Sequence, residues 1–559
     1  MKSEFRFMKN LATSPHPLPC AVQLGFAGSR RLFENPPNDP AKQAELDTRV
    51  ERYLIDMLSQ LPQDLELHPN HFLVGMSQIA CGADMLFTRA CLHARPQSIP
   101  QRIVLPQHRQ AYLNATDSAG TADFSADERT QAVSLLNESH IIQERVVSHS
   151  ADRTVQFMDV SVELLRVSDV IVCLLRAESS SKAGGTNELL DRAKARGIPV
   201  LEIRVGLTSG EPTFNRTWHN LDKRWSMGDE DHPFCRPHLP QALAHESVRI
   251  SVAPLPTVQE FCKPLKQLVS TQAKQHQNLF RFAAVAIIAT HILATIFATL
   301  AVVLHKAGGN PGAVANGHSL LDPVLLGIEV LLLLAGFGVH LYLHHSQAAR
   351  TWAIARVVAE LARSLQAIGS HHIYLKHLFF LPLPYSFRSL LRTLNILYLR
   401  STWPERNTEW KPQRDAYIRN RVDDQIRFYK RRLVVDNRRL WWCQRTFALC
   451  SMLAIAATSV KLILTLLSSS NDPLLAVLGT LAIVLPVLAV GGLSWSAALD
   501  CEARVETFIE TLRFLKRQRP MLEQATTVTE FDRLLLETET TLLGETANWF
   551  SRRANTSVT

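Results

Sequence analysis

The sequence lacks both a cysteine framework and a secretion signal. Its nine cysteines are scattered, without a CxxC pair or a regular spacing, which argues against a zinc site and against a disulfide-stapled secreted domain. The N-terminal segment MKSEFRFMKNLATSPHPLP has no apolar core of the length that a signal peptide needs. We therefore expect no bound metal, a reducing compartment, and a first domain that stays in the cytoplasm.

A stripe of basic and aromatic residues is also missing from the N-terminal part of the chain. Its absence argues against nucleic acid as a partner, although the net charge is +9. The positive charge is concentrated in residues 411–445, between two groups of apolar segments. Lysine and arginine accumulate in this way in the cytoplasmic loops of membrane proteins, where they also contact anionic lipid headgroups.

Four long apolar segments are present, each of 21 to 23 residues. That length crosses a hydrocarbon layer of ~30 Å as a helix, so we predict spans at residues 282–304, 323–343, 447–467 and 473–495. The links within each pair are short, whereas the connection between the pairs is long and basic. The positive-inside bias then predicts a multi-pass protein with both termini cytoplasmic.

The predicted domain organisation has four parts. A similar polar helical approach and exit flank each pair of spans, and both exits contain an Ala-Arg-Val step, which favours an internal duplication. The parts are a cytosolic nucleotide-binding domain at 1–255, a first two-span unit at 256–382, a linker with an amphipathic helix at 383–420, and a second two-span unit at 421–559.

Residues 19–205 alternate apolar runs with helical patterns, the order expected of a doubly wound parallel sheet. The predicted fold is therefore a Rossmann-like α/β N-terminal domain followed by an all-α membrane domain with four transmembrane helices. The predicted strands are AVQLGFAG, HFLVGM, RIVLP, DVIVCLL and IPVLEIRV. We expect the polar stretch between RIVLP and DVIVCLL to be a long, mostly helical insert.

Small residues lie at the junctions between these strands and the helices that follow them. Ligands of such sheets bind beyond the carboxyl ends of the strands, where glycines let backbone N–H groups approach an anion and a helix start adds partial positive charge. The sequence thus predicts a phosphate-binding site built from three loops. Its predicted ligand-binding residues are Gly28, Ser29, Arg30, Gly82, Ala83, Asp84, Gly184, Gly185, Thr186 and Glu188.

Two acidic residues and one lysine have open interpretations. Glu188 favours the dipole of its helix start, accepts hydrogen bonds from ribose hydroxyls, or acts on a glycosidic bond, and in the last case Glu188 and Arg30 are the candidate catalytic residues. Glu329 and Lys461 lie inside predicted spans, where a charge is costly and usually faces a bundle interior, a partner charge or a pore. Snorkelling to the interface is the alternative for Lys461.

Four stretches of the first domain carry a family resemblance. The residues of these stretches, and the order of the stretches along the chain, resemble the SLOG superfamily. This is the Rossmann-like group that includes the DNA-processing protein A fold and the LOG phosphoribohydrolases. The resemblance implies that the first loop and the glycine-threonine loop hold a nucleotide or nucleotide derivative, with no other cofactor. The stretches are GFAGSRRL, SQIACGADMLFTRA, VLPQHRQAYL, and SDVIVCLL followed by GGTNELLDRAKARGIPVLEI.

The chain departs from the hydrolase branch of that superfamily. It has Ala183 instead of proline before the glycine pair, and Asn187 directly after Thr186. In the membrane half, RVDDQIRFYKRRLVVDNRRLWWCQRTFALCSMLAI and TWAIARVVAELARSL resemble the lead-in and exit helices of SLATT-type two-span effector domains. Modules of these two families are associated in bacterial anti-phage conflict systems.

The two resemblances together imply a sensor and an effector in one chain of the bacterial inner membrane. We expect a nucleotide second messenger to bind the first domain and to open a pore or leak through a homo-oligomer, with a nucleotide-synthesising enzyme as a further partner. The alternative is a membrane-anchored nucleotide N-glycosidic hydrolase. A transporter is disfavoured because the repeat is parallel and the spans are few.

Overall fold

The computed structural model describes eleven stretches of the chain, and the chain divides into two compact units. The first unit comprises Met1–Leu268 with Ile368–Glu409, and the second comprises Val269–Ala367 with Trp410–Thr559, so that the chain passes between them three times. The described residues are 20–33, 39–67, 71–116, 121–177, 184–221, 255–308, 321–346, 348–368, 387–402, 410–467 and 473–555.

A seven-stranded sheet forms the centre of the first unit. Its strand order is β4-β3-β2-β1-β5-β6-β7, and all neighbours are parallel except β6 and β7, which are antiparallel. This mostly parallel sheet with its helices confirms the predicted Rossmann-like architecture. The strands are β1 (Ala21–Gly28), β2 (Phe72–Ser77), β3 (Gln101–Leu105), β4 (Ile141–Val146), β5 (Val170–Arg176), β6 (Val200–Thr208) and β7 (Glu211–His219).

The central strands are continuous apolar runs because helices cover both faces of the sheet. The first six residues of β5 are all buried, and apolar clusters lie on either side of the strands. The helices of this α/β region are α1 (Pro40–Asp64), α2 (Ala83–His93), α3 (Arg109–Leu113), α4 (Ala126–Leu136), α5 (Arg153–Val167) and α6 (Thr186–Ala195).

Two strands depart from the sequence-based expectation. β4 lies in the stretch expected to be a mostly helical insert, and its last three residues, Glu144 to Val146, are not buried. β7 follows the last predicted strand through a turn in which Ser209 and Gly210 have positive φ. Its residues alternate between exposed and half-buried, the pattern of an edge strand. The sequence analysis recognised strands by their apolar runs, and both of these strands are too polar to be predicted in that way.

The rest of the described chain is helical. The helices are α7 (Val258–Gly308), α8 (Leu321–Ser346), α9 (Ala348–Ile368), α10 (Phe387–Thr402), α11 (Trp410–Tyr417), α12 (Asp423–Leu467), α13 (Pro473–Ala498), α14 (Cys501–Gln524) and α15 (Val528–Asn555), with one π-helical turn at Ile418–Val422.

Four of these helices, α7, α8, α12 and α13, contain the predicted spans and are long and apolar enough to cross a membrane. Only 6% to 17% of their apolar windows is buried, and leucines such as Leu331 and Leu466 are among their exposed side chains. Apolar surface of this extent is characteristic of contact with lipid. The four-span membrane region is therefore confirmed, and the chain is a membrane protein.

Helix α10 lies within the predicted linker, yet it packs in the first unit. Its buried residues include Leu390, Leu394 and Leu397, and Thr393 accepts a hydrogen bond from the N–H of Ala21 at 3.0 Å. A helix buried to this degree belongs to a core. The contact-based division of the chain accordingly assigns Ile368–Glu409 to the first unit, whereas the predicted limits of the linker are 383–420.

The second unit contains a buried ionic cluster outside the apolar windows. Glu539 of α15 is fully buried, and the Arg421 guanidinium lies 2.8 Å from its Oε2. The same guanidinium lies 2.9 Å from Oε1 of Glu360, and Tyr417 donates its hydroxyl to Glu539 at 2.8 Å. Arg421 stands in the π-helical turn, a helical irregularity that often marks a functional position.

Candidate functional site

The candidate site is a crevice at the point where the strand order of the sheet reverses. β1 and β5 are neighbours there, and the chain continues to opposite sides of the sheet from them. Ligands of open α/β sheets bind at such a point, beyond the carboxyl ends of the strands. A cavity of about 770 Å³ occupies this position, which is within the usual volume range of ligand pockets, roughly 300–1,000 Å³.

The loop after β1 is fixed to the end of β5. The N–H of Ser29 donates to the Leu174 carbonyl at 2.9 Å, and its hydroxyl accepts from the N–H of Arg176 at 3.3 Å. A Cβ on Gly28 would stand 2.2 Å from the Cβ of Ala83. Gly28 is therefore required for the close approach of α2 to β1. Gly28, Ser29 and Arg30 all line the crevice.

Gly82 and Ala83 support the site without lining the crevice. Gly82 has φ of +81°, and a Cβ there would stand 2.1 Å from the Arg30 carbonyl oxygen. The N–H of Ala83 donates to the Ser29 carbonyl at 3.3 Å. Both residues thus hold the backbone of the first loop in place, whereas Asp84, the third residue predicted from this segment, is a lining residue.

Asp84 is a buried carboxyl group at the crevice. It is 5% exposed, and its Oδ1 atom has no hydrogen-bond partner among the described residues. Burial raises its pKa to about 7, although the Arg30 guanidinium and the backbone N–H groups of Ala80 and Gly28 act in the opposite direction. This group is able to accept a hydrogen bond from a ligand when ionised and to donate one when protonated.

The glycine-threonine loop opens α6 towards the crevice. Gly184 has φ of +72°, a conformation that favours glycine. Thr186 donates its hydroxyl to the Gly28 carbonyl at 3.2 Å, which joins this loop to the first one. No side chain caps the start of α6 at Gly185, so its first N–H groups and the helix dipole are available to an anion. Gly184, Gly185 and Thr186 line the crevice.

Glu188 is occupied by its own loop and does not line the crevice. Its Oε2 accepts from the N–H of Gly184 at 2.5 Å, and its Oε1 pairs with Arg192 at 2.5 Å. These contacts favour the structural interpretation of Glu188, in which the carboxylate stabilises the loop and the helix start.

Two lining residues of α5, Arg153 and Phe157, were not found by sequence analysis. The guanidinium carbons of Arg30 and Arg153 lie 5.5 and 5.7 Å from the centroid of the Phe157 ring. Both guanidinium groups also pair with Asp123. Burial opposes ionisation of Asp123, but hydrogen bonds and charge from Arg153 and Arg30 lower its pKa below the usual value.

These residues were missed because α5 lies in the polar insert and has no glycine loop. The sequence feature that indicates the start of α5 is Asp152. It caps the helix by accepting from the N–H groups of Thr154 and Val155, and it so places Arg153 in the first turn. With Arg31 and Arg176, four arginines line the crevice. Its electrostatic character is therefore positive.

The two polar candidates of the membrane region lie on different helices. Glu329 of α8 and Lys461 of α12 are both half-buried. A Cβ on Gly479 of α13 would stand 3.1 Å from the Lys461 ammonium nitrogen, so Lys461 packs on α13. Among the described residues Glu329 and Lys461 form no ion pair with each other, and a pore role for either stays a prediction.

The comparison with known families concerns the C-terminal part of the chain. Residues 417–549 match SLATT_1, described as the SMODS and SLOG-associating 2TM effector domain 1. The match runs from the π-helical turn through α12 and α13 into α15, and it confirms the SLATT-like character of the second pair of spans. This part is accordingly similar to a two-span membrane effector. No curated protein and no solved structure matches the chain, and the SLOG resemblance of the first unit stays a prediction.

Proposed function

We propose that the protein is a nucleotide-gated membrane effector of a bacterial conflict system. A nucleotide signal binds the crevice of the first unit and shifts the spans of a homo-oligomer in the inner membrane towards a leaky state, which stops phage propagation. The observation that carries the proposal is the presence, in one chain, of an anion-attracting crevice at the sheet's switch point and a SLATT-type two-span effector domain.

The polar groups of the crevice support a phosphate-bearing ligand. Four arginines line it, and arginine matches phosphate with paired N–H donors. The uncapped start of α6 adds backbone donors and the positive end of a helix dipole. Asp84 adds a buried hydrogen-bonding group, of the kind that recognises a sugar hydroxyl or a base amino group.

The first unit also supports a route for the signal. The two strands that end at the crevice begin at α10. The N–H of Ala21, at the start of β1, donates to Thr393 at 3.0 Å. Asp169, just before β5, pairs with Arg392 at 2.8 Å. Because both strands are central and buried, a change at one end is felt at the other as a shift of the whole strand.

Helix α10 in turn contacts the start of the first membrane helix. Arg400 donates to the Leu255 carbonyl at 2.6 Å, and the N–H of Val258, the first residue of α7, donates to Ser401 at 3.2 Å. All of these contacts lie within the first unit. They connect the crevice-bearing strands with the beginning of the helix that carries the first span.

Dye leakage from vesicles that contain the purified full-length protein tests the proposal. Nucleotide extracts from phage-infected cells are expected to cause leakage, and Arg30→Ala and Gly185→Asp to abolish it together with protection of cells from phage. Arg166→Ala is the control, because this α5 arginine pairs with Glu163 and does not line the crevice. Arg392→Ala is expected to reduce leakage while ligand binding persists.

Two results together would refute the proposal. They are vesicle leakage that does not depend on the ligand, and cells that the two crevice variants still protect from phage. Hydrolysis of an N-glycosidic bond is the weaker hypothesis, because both carboxylate oxygens of Glu188 are engaged by Gly184 and Arg192. Product analysis of the same samples separates the two functions. Hydrolysis of many equivalents of nucleotide per wild-type protein, lost in Glu188→Gln, would favour the hydrolase.

A further inference from the structure

We infer that the ligand of the crevice carries two anionic groups, and that Arg30 and Arg153 form a second anion subsite beside the uncapped start of α6. This inference deepens the proposed function and rests on it. The ligand class is a nucleotide with two phosphate groups, such as a nucleoside diphosphate, and Arg153 is the residue that distinguishes it from a monophosphate.

The two guanidinium groups form a prearranged pair. Asp123 is 6% exposed at its side chain and holds one guanidinium on each of its oxygens. The Phe157 ring contacts both groups on its face. A shared carboxylate and a shared aromatic ring keep two like charges together without a ligand, so little ordering is needed when an anion arrives.

The pair retains donors and charge for a ligand. Within the described part of the chain, Arg30 uses one N–H group on Asp123, and Arg153 uses one on Asp123 and one on the Thr116 carbonyl. Each guanidinium has five N–H groups. Two guanidiniums against one carboxylate also leave a net positive charge, and the side chains are 39% and 36% exposed, which makes them accessible from the crevice.

The first anion subsite is formed by different atoms. The first turn of α6, which no side chain caps at Gly185, supplies backbone N–H groups at the crevice. Arg153 stands on α5, the helix that packs beside α6. Two phosphate groups allow one ligand to contact the first turn of α6 and the guanidinium pair at the same time.

A third contact indicates that the ligand also bears a polar hydrogen-bonding group. The Oδ1 atom of Asp84 is buried at the crevice and has no partner among the described residues. A buried polar atom usually has a hydrogen-bond partner. A sugar hydroxyl of a nucleoside diphosphate is able to provide this partner, because it donates to the ionised carboxylate and accepts from the protonated one.

Binding of inorganic pyrophosphate and orthophosphate to the full-length protein in detergent, at fixed pH and ionic strength, is the direct test, with ADP and AMP as nucleotide probes. We expect wild type to bind pyrophosphate at least about tenfold more tightly than orthophosphate, because a bidentate arginine contact is worth about that factor. In Arg153→Gln that preference is expected to fall to about threefold or less, with orthophosphate binding retained. The control Arg166→Gln is expected to keep the full preference.

The outcomes separate this inference from the proposed function. If orthophosphate or AMP binds and depends on Arg30, but pyrophosphate and ADP have no advantage, the two-anion inference is overturned and nucleotide sensing stands. The same holds if Arg153→Gln weakens the single and double anions equally. If none of the four probes binds, the two-anion inference is overturned, and leakage caused by nucleotide extracts decides the proposed function separately.

Discussion

Replacement of Asp84 by asparagine is expected to make the protein more stable at alkaline pH. Asp84 is 5% exposed, and burial raises its pKa from 3.8 to about 7. Asparagine has nearly the same shape and keeps an oxygen that accepts from the N–H groups of Ala80 and Gly28. It has no charge that burial penalises. The variant therefore removes the net cost of a buried carboxylate, which is the cost of burial less the attraction of Arg30.

The size and sign of the effect follow from the two pKa values of Asp84. Between pH 3.8 and about 7 the unfolded chain has lost this proton and the folded protein still holds it, so the stability of wild type falls as the pH rises through that window. Above pH 7 both states are ionised and the loss is complete. From pH 5 to pH 8 the loss amounts to about 3 kcal/mol, at about 1.4 kcal/mol for each pH unit.

Unfolding of the full-length protein in detergent at pH 5 and pH 8 measures this difference. We expect the free energy of unfolding of Asp84→Asn, relative to wild type, to be about 3 kcal/mol larger at pH 8 than at pH 5, so that the variant gains stability at the higher pH. Asp191→Asn, an exposed position of α6, controls for the loss of a negative charge and is expected to shift stability by less than about 0.5 kcal/mol. An equal effect of Asp84→Asn at both pH values would refute the reasoning.

Two further substitutions test the packing around the sites. Arg421→Met leaves the fully buried carboxylate of Glu539 without its guanidinium partner, so the free energy of unfolding should fall by about 3–5 kcal/mol. The control Arg427→Gln, at a side chain 62% exposed, should change it by less than about 0.5 kcal/mol. Equal effects of the two substitutions would contradict a buried ionic cluster. Gly82→Ala places a Cβ 2.1 Å from a carbonyl oxygen, while Gly210→Ala has a similar φ and no atom within 4 Å. Thermal unfolding should therefore show Gly82→Ala as less stable by about 1–3 kcal/mol more than the control, and a smaller cost at Gly82 would show that the first loop is able to move aside.

The features predictable from the sequence are those that local pattern encodes. The spans and strands such as β5 are long or continuous apolar runs, because lipid or covering helices surround them on all sides. The three loops of the site were predicted because glycines mark strand-to-helix turns. β7 was not, since an edge strand with alternating half-buried residues has no apolar run to distinguish it from a loop.

The features that escaped prediction depend on contacts between distant parts of the chain. Arg153 becomes a site residue only because α5 brings it onto the same Asp123 and Phe157 as Arg30. Helix α10 was predicted as an amphipathic helix within a linker, and only its contacts with Ala21 and Asp169 show that it packs at the start of β1 and β5. No spacing within one segment encodes such pairings.

The energy needed for gating connects the second anion subsite with the proposed mechanism. A ligand that moves an equilibrium from 1:99 to 99:1 must favour one state by about 5.5 kcal/mol, whereas a hydrogen bond to a charged group contributes about 1.5–3 kcal/mol. About two to four such bonds, made in only one of the two states, are therefore needed for the proposed switch. A second phosphate on the proposed Arg30 and Arg153 subsite adds bonds of this kind at the crevice. Under the proposed mechanism these bonds act at the ends of the strands that begin at α10, on which the route of the signal depends.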